Sequence, residues 1–292
     1  GTLTDFYGGR RDLKEGLLRV LHNLSFVEDP SRVLRGVRLE QRVSLKHAGL
    51  KFEDNTLRLM HSAVKGGLLE KLSGPRVRME MEINCKERLP RRIAVRMQEL
   101  GIWEALFPGL RFGDAAAKRI GRLQKILPRA KEAGVQFKGL EWLAYMAAVL
   151  SESPSNVQHA TMDRLNFTQL ERQTLTTCLS SLPQVEQFLG GKKALKNSEV
   201  YLFLKNYAFV PLLYWTCSVK RRQTRRWIID YVLSMVPLKG EFTGGELLEM
   251  GYKPGPWLGE LLEAIRLERM DGRIQTREAE SLYIKNNMMR ET

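Results

Sequence analysis

The chain has 292 residues, 43% hydrophobic and 27% charged, a balance that suits a soluble globular protein with room for two or three structural units. Lys and Arg outnumber Asp and Glu by 47 to 33, a formal charge of +14 that favours a polyanionic partner, nucleic acid first, over the plainer role of solubility. Cys85, Cys178 and Cys217 form no C-x-x-C pair, and His22, His47, His61 and His159 are scattered, which argues against a disulfide frame and a zinc site. No apolar run is long enough to cross a bilayer and no signal-peptide layout opens the chain, so a cytoplasmic protein without a membrane partner is expected.

Residues 1–13 read as the end of a strand and a turn at Gly8-Gly9. From Pro30 to about Ala48 the spacing predicts a helix, apolar at Val33, Leu34, Val37 and Leu39, with Arg32, Arg35, Arg38 and Arg42 on another face. Asp29 is placed to cap it and Pro30 to occupy its first turn. Further helices are predicted over Asn55–Lys65, Arg76–Asn84, Pro90–Leu100 and Ala115–Ile126, the last stopped by Pro128. Gly139–Leu150 is apolar enough to be core, and Ser151–Asn156 is the strongest internal boundary. Helices then follow over 157–165, 168–180, 183–189, 198–207, 211–218 and 224–236, and a closing unit from Thr243 contains a long helix, Trp257–Met270. Strand signals are nearly absent after residue 13, so the fold class is all-α.

Glu28-Asp29-Pro30-Ser31-Arg32 carries the most specific chemistry. Residues three apart at a helix start are neighbours, so Asp29 and Arg32 can offer an acceptor and a fork of donors to one planar target. That pair suits the Watson–Crick edges of cytosine and adenine, whose exocyclic amines a carboxylate accepts. Uracil and guanine would set a carbonyl against it. Taken alone, these residues read more readily as an Asp cap, a Pro in the first turn and an i,i+3 ion pair. Arg32, Arg35 and Arg38 form a basic row that suits either a triphosphate or solvent.

Asp5, Gly8, Gly9, Asp12 and Leu13, followed by Glu28-Asp29-Pro30-Ser31-Arg32-Val33-Leu34-Arg35 and Arg38, resemble consecutive motifs of class II tRNA nucleotidyltransferases and bacterial poly(A) polymerases. The resemblance implies that the first motif joins a catalytic head to a neck. It also implies that Asp29 and Arg32 read the base of ATP or CTP, that Glu28 holds Arg32, and that Arg35 and Arg38 lie on the phosphate side. Lys71–Arg78 is similar to the family's L-S-x-x-R-[IV]-R segment, and Leu100–Gly109 to its L-G-[IVL]-x-x-x-[LI]-F-P stretch. Gly244–Leu248, Gly251–Gly259 and Asp271–Ile274 are similar to its tail, for which the implied partner is the acceptor and TΨC region of tRNA.

In the tail, Gly255-Pro256 at a helix start would expose backbone N–H groups to a phosphate, with Lys253, Gly259, Arg266 and Arg273 as further RNA-binding candidates; a turn packing a helix hairpin is the other reading. Lys220–Arg226 carries five charges in seven residues and reads evenly as a phosphate-tracking patch or a solvated helix start.

The expected organisation is the end of a head at 1–15, a neck with the base template at 16–70, a helical body at 71–150 and a tRNA-binding tail at 151–292. The whole is an elongated set of helical units with a short remnant of the head's β-structure. No Asp-x-Asp pair occurs in the chain and the first residue is Gly, so the metal-binding head is expected upstream, with the Mg²⁺ ligands and all catalytic residues in it. On this reading the isolated chain selects nucleotide and grips tRNA but does not transfer. The alternatives are a poly(A) polymerase fragment and a non-catalytic RNA-binding adaptor.

Overall fold

The computed structural model describes residues 1, 4–43, 49–191 and 194–288. Among them are eighteen α-helices and only two short strands. The all-α reading therefore holds. The chain divides into two compact units, 1–127 with 137–180, and 128–136 with 181–292.

In the first unit the order is α1 (Gly9–Glu15), β1 (Leu17–Leu18), α2 (Ser25–Glu28), α3 (Ser31–Val43), β2 (Lys51–Phe52), α4 (Asp54–Lys65), a 3-10 turn at Leu68–Lys71, α5 (Gly74–Lys86), α6 (Pro90–Glu99) and α7 (Ile102–Leu106). Then come α8 (Asp114–Glu132), within which the division falls, and α9 (Trp142–Leu150), α10 (Ser155–Arg164) and α11 (Gln169–Ser180). α3 buries Val33, Leu34 and Val37 and packs on α5 and α6, which leaves Arg32, Arg35 and Arg42 partly exposed on its other side. Pro75 and Pro90 sit in the first turns of α5 and α6, where no N–H is needed. All nine residues of α9 are buried, between α5 and α11.

The second unit holds α12 (Leu182–Leu189), α13 (Asn197–Leu204), α14 (Phe209–Ser218), α15 (Arg222–Asp230) running into a π turn at Tyr231–Met235, α16 (Gly244–Glu249), α17 (Pro256–Met270) and α18 (Arg277–Met288). Phe242, Leu247, Leu261, Ile265 and Ile284 form the core of its last hairpin. A reciprocal cap between Thr243 and Glu246 starts α16. Buried Glu280 accepts from the backbone N–H groups of Glu241 (2.9 Å) and Phe242 (3.0 Å) and from Arg269 (2.9 Å), and so fastens α18 to the loop before α16.

Three sequence expectations change. Residues 9–15 are helix rather than the end of a strand, because Asp5 accepts from the N–H groups of Gly9 (2.9 Å) and Arg10 (2.8 Å) and satisfies the first turn. The strands lie instead at β1 and β2, paired in parallel with Leu17 opposite Lys51. α3 is described as far as Val43, and the expected continuation to Ala48 lies outside the described residues. α8 passes through Pro128, since a proline removes one donor while buried Ile126 and Ala130 hold the helix on either side. Ser151–Asn156 is a turn inside the first unit, joining α9 to α10; because α9 packs on α11, the division comes after Ser180.

α5 is seated by a close approach: a Cβ on Gly74 would lie 1.8 Å from the carbonyl oxygen of Arg164. Gly74→Ala should therefore push α5 off the end of α10 and destabilise the protein by about 1–3 kcal/mol, read as a lower urea midpoint with unchanged helical circular dichroism at zero urea.

Candidate functional site

Asp29 stands in an extended conformation (φ −140°, ψ 91°) between α2 and α3. Its Oδ1 accepts from the Ser31 amide (3.0 Å) and hydroxyl (2.6 Å), and its Oδ2 accepts from Arg76 Nη2 (2.8 Å). Arg35 Nη1 stands 3.9 Å from the same Oδ2. Burial raises the Asp29 carboxyl's affinity for a proton, but the two Ser31 donors and the Arg76 and Arg35 charges outweigh it and hold the group below the ordinary carboxylate value.

Arg32, the second residue of α3, donates from Nη1 to the Ser25 carbonyl (3.2 Å) and lies 3.6 Å from Glu28. Glu28 also stands 3.4 Å from His22 Nε2. The Arg32 side chain remains 42% exposed, so a ligand can reach it.

Behind this edge lies Glu80 of α5, 1% exposed. Its two oxygens take Arg35 Nε (2.8 Å) and Arg38 Nη1 (2.7 Å), and Arg38 also donates to Asn84 Oδ1 (2.9 Å). Arg35 keeps 45% of its side chain exposed, whereas Arg38 keeps 13%. Of the predicted basic row, Arg32 and Arg35 are therefore accessible, and Arg38 is turned inward as a counter-charge. Arg42 pairs with Glu87 and Arg96 with buried Glu40, so α3 is tied to α5 and α6 by arginine–glutamate contacts as well as by its apolar face.

Sequence reasoning assigned no role to Arg76, Glu80 and Asn84. The available signal was an arginine and a glutamate four apart in the segment after Lys71, on one face of a helix.

In the N-terminal motif Asp5 caps α1, and Gly8 takes a left-handed conformation (φ 74°) that turns the chain into it, with Gly9 as the first helical residue. Asp12, 7% exposed, accepts from Arg19 Nε (3.1 Å). Asp12, Leu13, Leu17, Leu18, Leu39 and Leu50 help line a groove of about 400 Å³.

At the other end, Lys253, Pro256 and Gly259 are exposed around the start of α17. Gly255 is half-buried beside Trp257, whose indole would lie 2.7 Å from any Cβ placed there. Gly259 has open space where a Cβ would go. Arg266 departs from the expected RNA contact: its Nη2 donates to the carbonyls of Met235 (3.0 Å) and Val236 (2.6 Å) at the end of the π turn, and its guanidinium lies 4.6 Å from the Tyr201 ring. Arg273 remains half-exposed but is clamped by Glu268 and Asp271. In the basic stretch Lys220–Arg226, which runs into α15, Arg225 donates to the carbonyls of Thr216 (2.9 Å) and Val219 (2.7 Å), while Arg226 is 75% exposed.

No helix among the described residues is long and apolar enough to cross a membrane, and no group of three or more His, Cys, Asp or Glu side chains there is placed to hold a metal ion.

A family described as "Probable RNA and SrmB- binding site of polymerase A" matches residues 49–112. An A-adding tRNA nucleotidyltransferase from Geobacter sulfurreducens is 31% identical over 284 residues, covering 96% of this chain. The chain spans only 32% of that relative's length. The solved Thermotoga maritima CCA-adding enzyme complexed with tRNA superposes with a TM-score of 0.72 at 28% identity, over 97% of this chain and 67% of that one. A CCA-adding enzyme in complex with ATP gives 0.70 at 27% identity, over 99% and 66%. The all-α fold is thus shared with a large part of CCA-adding enzymes. Over nearly its whole length the chain is similar to tRNA nucleotidyltransferases.

Two measurements check the site's energetics. Glu80→Ala leaves the Arg35 and Arg38 guanidiniums without their buried partner and should cost about 3–5 kcal/mol in urea unfolding. Because the Asp29 carboxyl is depressed in the folded protein, its contribution is complete above the unfolded value of about 3.9 and is lost as pH falls through the lower folded value. The gap in urea midpoint between wild type and Asp29→Asn should therefore be full near pH ~6 and shrink toward pH ~3.

Proposed function

We propose that this chain is the base-reading and tRNA-gripping part of an enzyme that adds C, A or both to the 3′ end of tRNA, with ATP and/or CTP as substrates. The observation that carries the reading is the pair at the start of α3: a carboxylate fixed by Ser31 and Arg76, and an accessible guanidinium one turn on. Asp29 accepts the exocyclic amine of adenine or cytosine, and Arg32 donates to the adjacent ring nitrogen or carbonyl. Glu28 and the Ser25 carbonyl orient Arg32, and Arg35 supplies charge toward the phosphates. Arg38 acts from behind, by neutralising Glu80.

By role we assign the end of a head to 1–15, a neck to 16–70, a body to 71–150 and a tail to 151–292, a division that does not coincide with the two compact units. Nucleotidyl transfer requires paired carboxylates and Mg²⁺, which this reading assigns to a head preceding residue 1; this chain's residues bind and orient. The enzyme works in the cytoplasm. In the tail, Lys253, Gly255, Pro256 and the open position at Gly259 meet the tRNA acceptor and TΨC region, while Arg266 and Arg273 hold α17 in place to do so. The matched family's polymerase A description favours one other reading, extension of a single-stranded 3′ end.

With labelled ATP and CTP on tRNA, the isolated chain should give no incorporation, and robust incorporation would overturn the division of labour. In the complete enzyme Arg32→Ala should reduce nucleotide selection more than tRNA affinity. The chain should prefer tRNA to an oligo(A) strand in filter binding; equal affinity would favour the polymerase reading. Lys253→Ala should weaken tRNA binding and lower the slope of log affinity against log salt by about 1, whereas Arg266→Ala should first lower the melting temperature.

A further inference from the structure

We propose that Arg76 is a specificity-determining positioning residue, which fixes the Asp29 carboxylate so that a single acceptor position is left open to the incoming base. This rests on the reading of Asp29 and Arg32 as the base reader.

A carboxylate offers about four lone-pair sites, two on each oxygen. At Asp29 the Oδ1 pair is filled by the Ser31 amide at 3.0 Å and hydroxyl at 2.6 Å. One site on Oδ2 is filled by Arg76 Nη2 at 2.8 Å, and Arg35 at 3.9 Å is too far to fill the other. One lone pair on Oδ2 remains. Arg76 Nη2 also reaches the Ser31 hydroxyl oxygen at 3.1 Å, so that hydroxyl accepts from Arg76 and donates to Asp29. The three groups close a ring that prevents the carboxylate from turning about its terminal torsion, which is otherwise soft.

That fixity supplies discrimination. An exocyclic amine donates to the open position. A carbonyl in the same place faces an anionic acceptor that can neither donate nor swing aside, so guanine and uracil bear the full cost of two opposed acceptors. A loose carboxylate would rotate away and tolerate them. Arg76 can act as a fixed strut because its helix is immobilised one turn further on, where buried Glu80 holds Arg35 and Arg38. Removing Arg76 should therefore lower incorporation of the correct nucleotide and raise that of the wrong one, a pattern that general loosening of the fold does not produce.

The test is single-turnover incorporation by the complete enzyme carrying this chain, comparing kcat/KM for ATP with that for GTP on the same tRNA. Arg76→Met should reduce the ATP/GTP ratio on the order of tenfold to a hundredfold, with KM for tRNA unchanged, and Arg76→Lys should restore part of it. Ser31→Ala, which opens a lone pair on Oδ1, should reduce the ratio as well, and stands in should the Arg76 variant not fold. A ratio unchanged in both variants, with Asp29→Ala still lowering it, would overturn the role of Arg76 while leaving the base reader intact. A ratio unmoved by Asp29→Ala and Arg32→Ala would overturn the base reader itself.

Discussion

The site depends on one buried carboxylate. Glu80 is almost fully removed from solvent, and an isolated carboxylate there would cost several kcal/mol. It is tolerable because Arg35 and Arg38 meet one oxygen each, and the same contacts set the distance and rotation of α3 relative to α5. Apolar packing of Val33, Leu34 and Val37 brings the two helices together without prescribing register. Two guanidinium forks on one anion do prescribe it, because charged hydrogen bonds of this kind weaken steeply with misalignment. The register in turn carries Arg76 to Asp29, so the geometry at Asp29 is inherited from a contact buried behind it.

The arginines consequently divide by task. Arg38, Arg96 and Arg266 act inward, against Glu80, Glu40 and the carbonyls that end the π turn. Arg32 and Arg226 keep exposed surface. The formal charge of +14 records an excess of cations without saying which are free.

Much of this was legible in the sequence. The α3 periodicity, the caps at Asp29-Pro30, the wholly apolar α9 and the Gly-Pro start of α17 are local signals, set by residues within a turn or two of each other. What the sequence concealed was non-local. Arg35 to Glu80 spans 45 residues and Arg76 to Asp29 spans 47, distances at which no period or spacing reports proximity. Arg266 illustrates the same limit, since a cation on an amphipathic helix reads as surface until the carbonyls it caps are known. Pro128 misled for the opposite reason: a strong local breaker was overridden by buried neighbours.

Asp29, Arg76, Ser31, Arg35, Glu80, Arg38 and Asn84 form one unbroken chain of contacts from a half-exposed edge to the interior. Such a chain couples its members energetically, so the effects of paired substitutions along it will not sum. A change at Asn84 can disturb the Asp29 edge from the interior, and a change at Asp29 can be compensated from α5. The unit on which sequence drift acts here is the whole relay, and exchange of one member constrains what its neighbours can become.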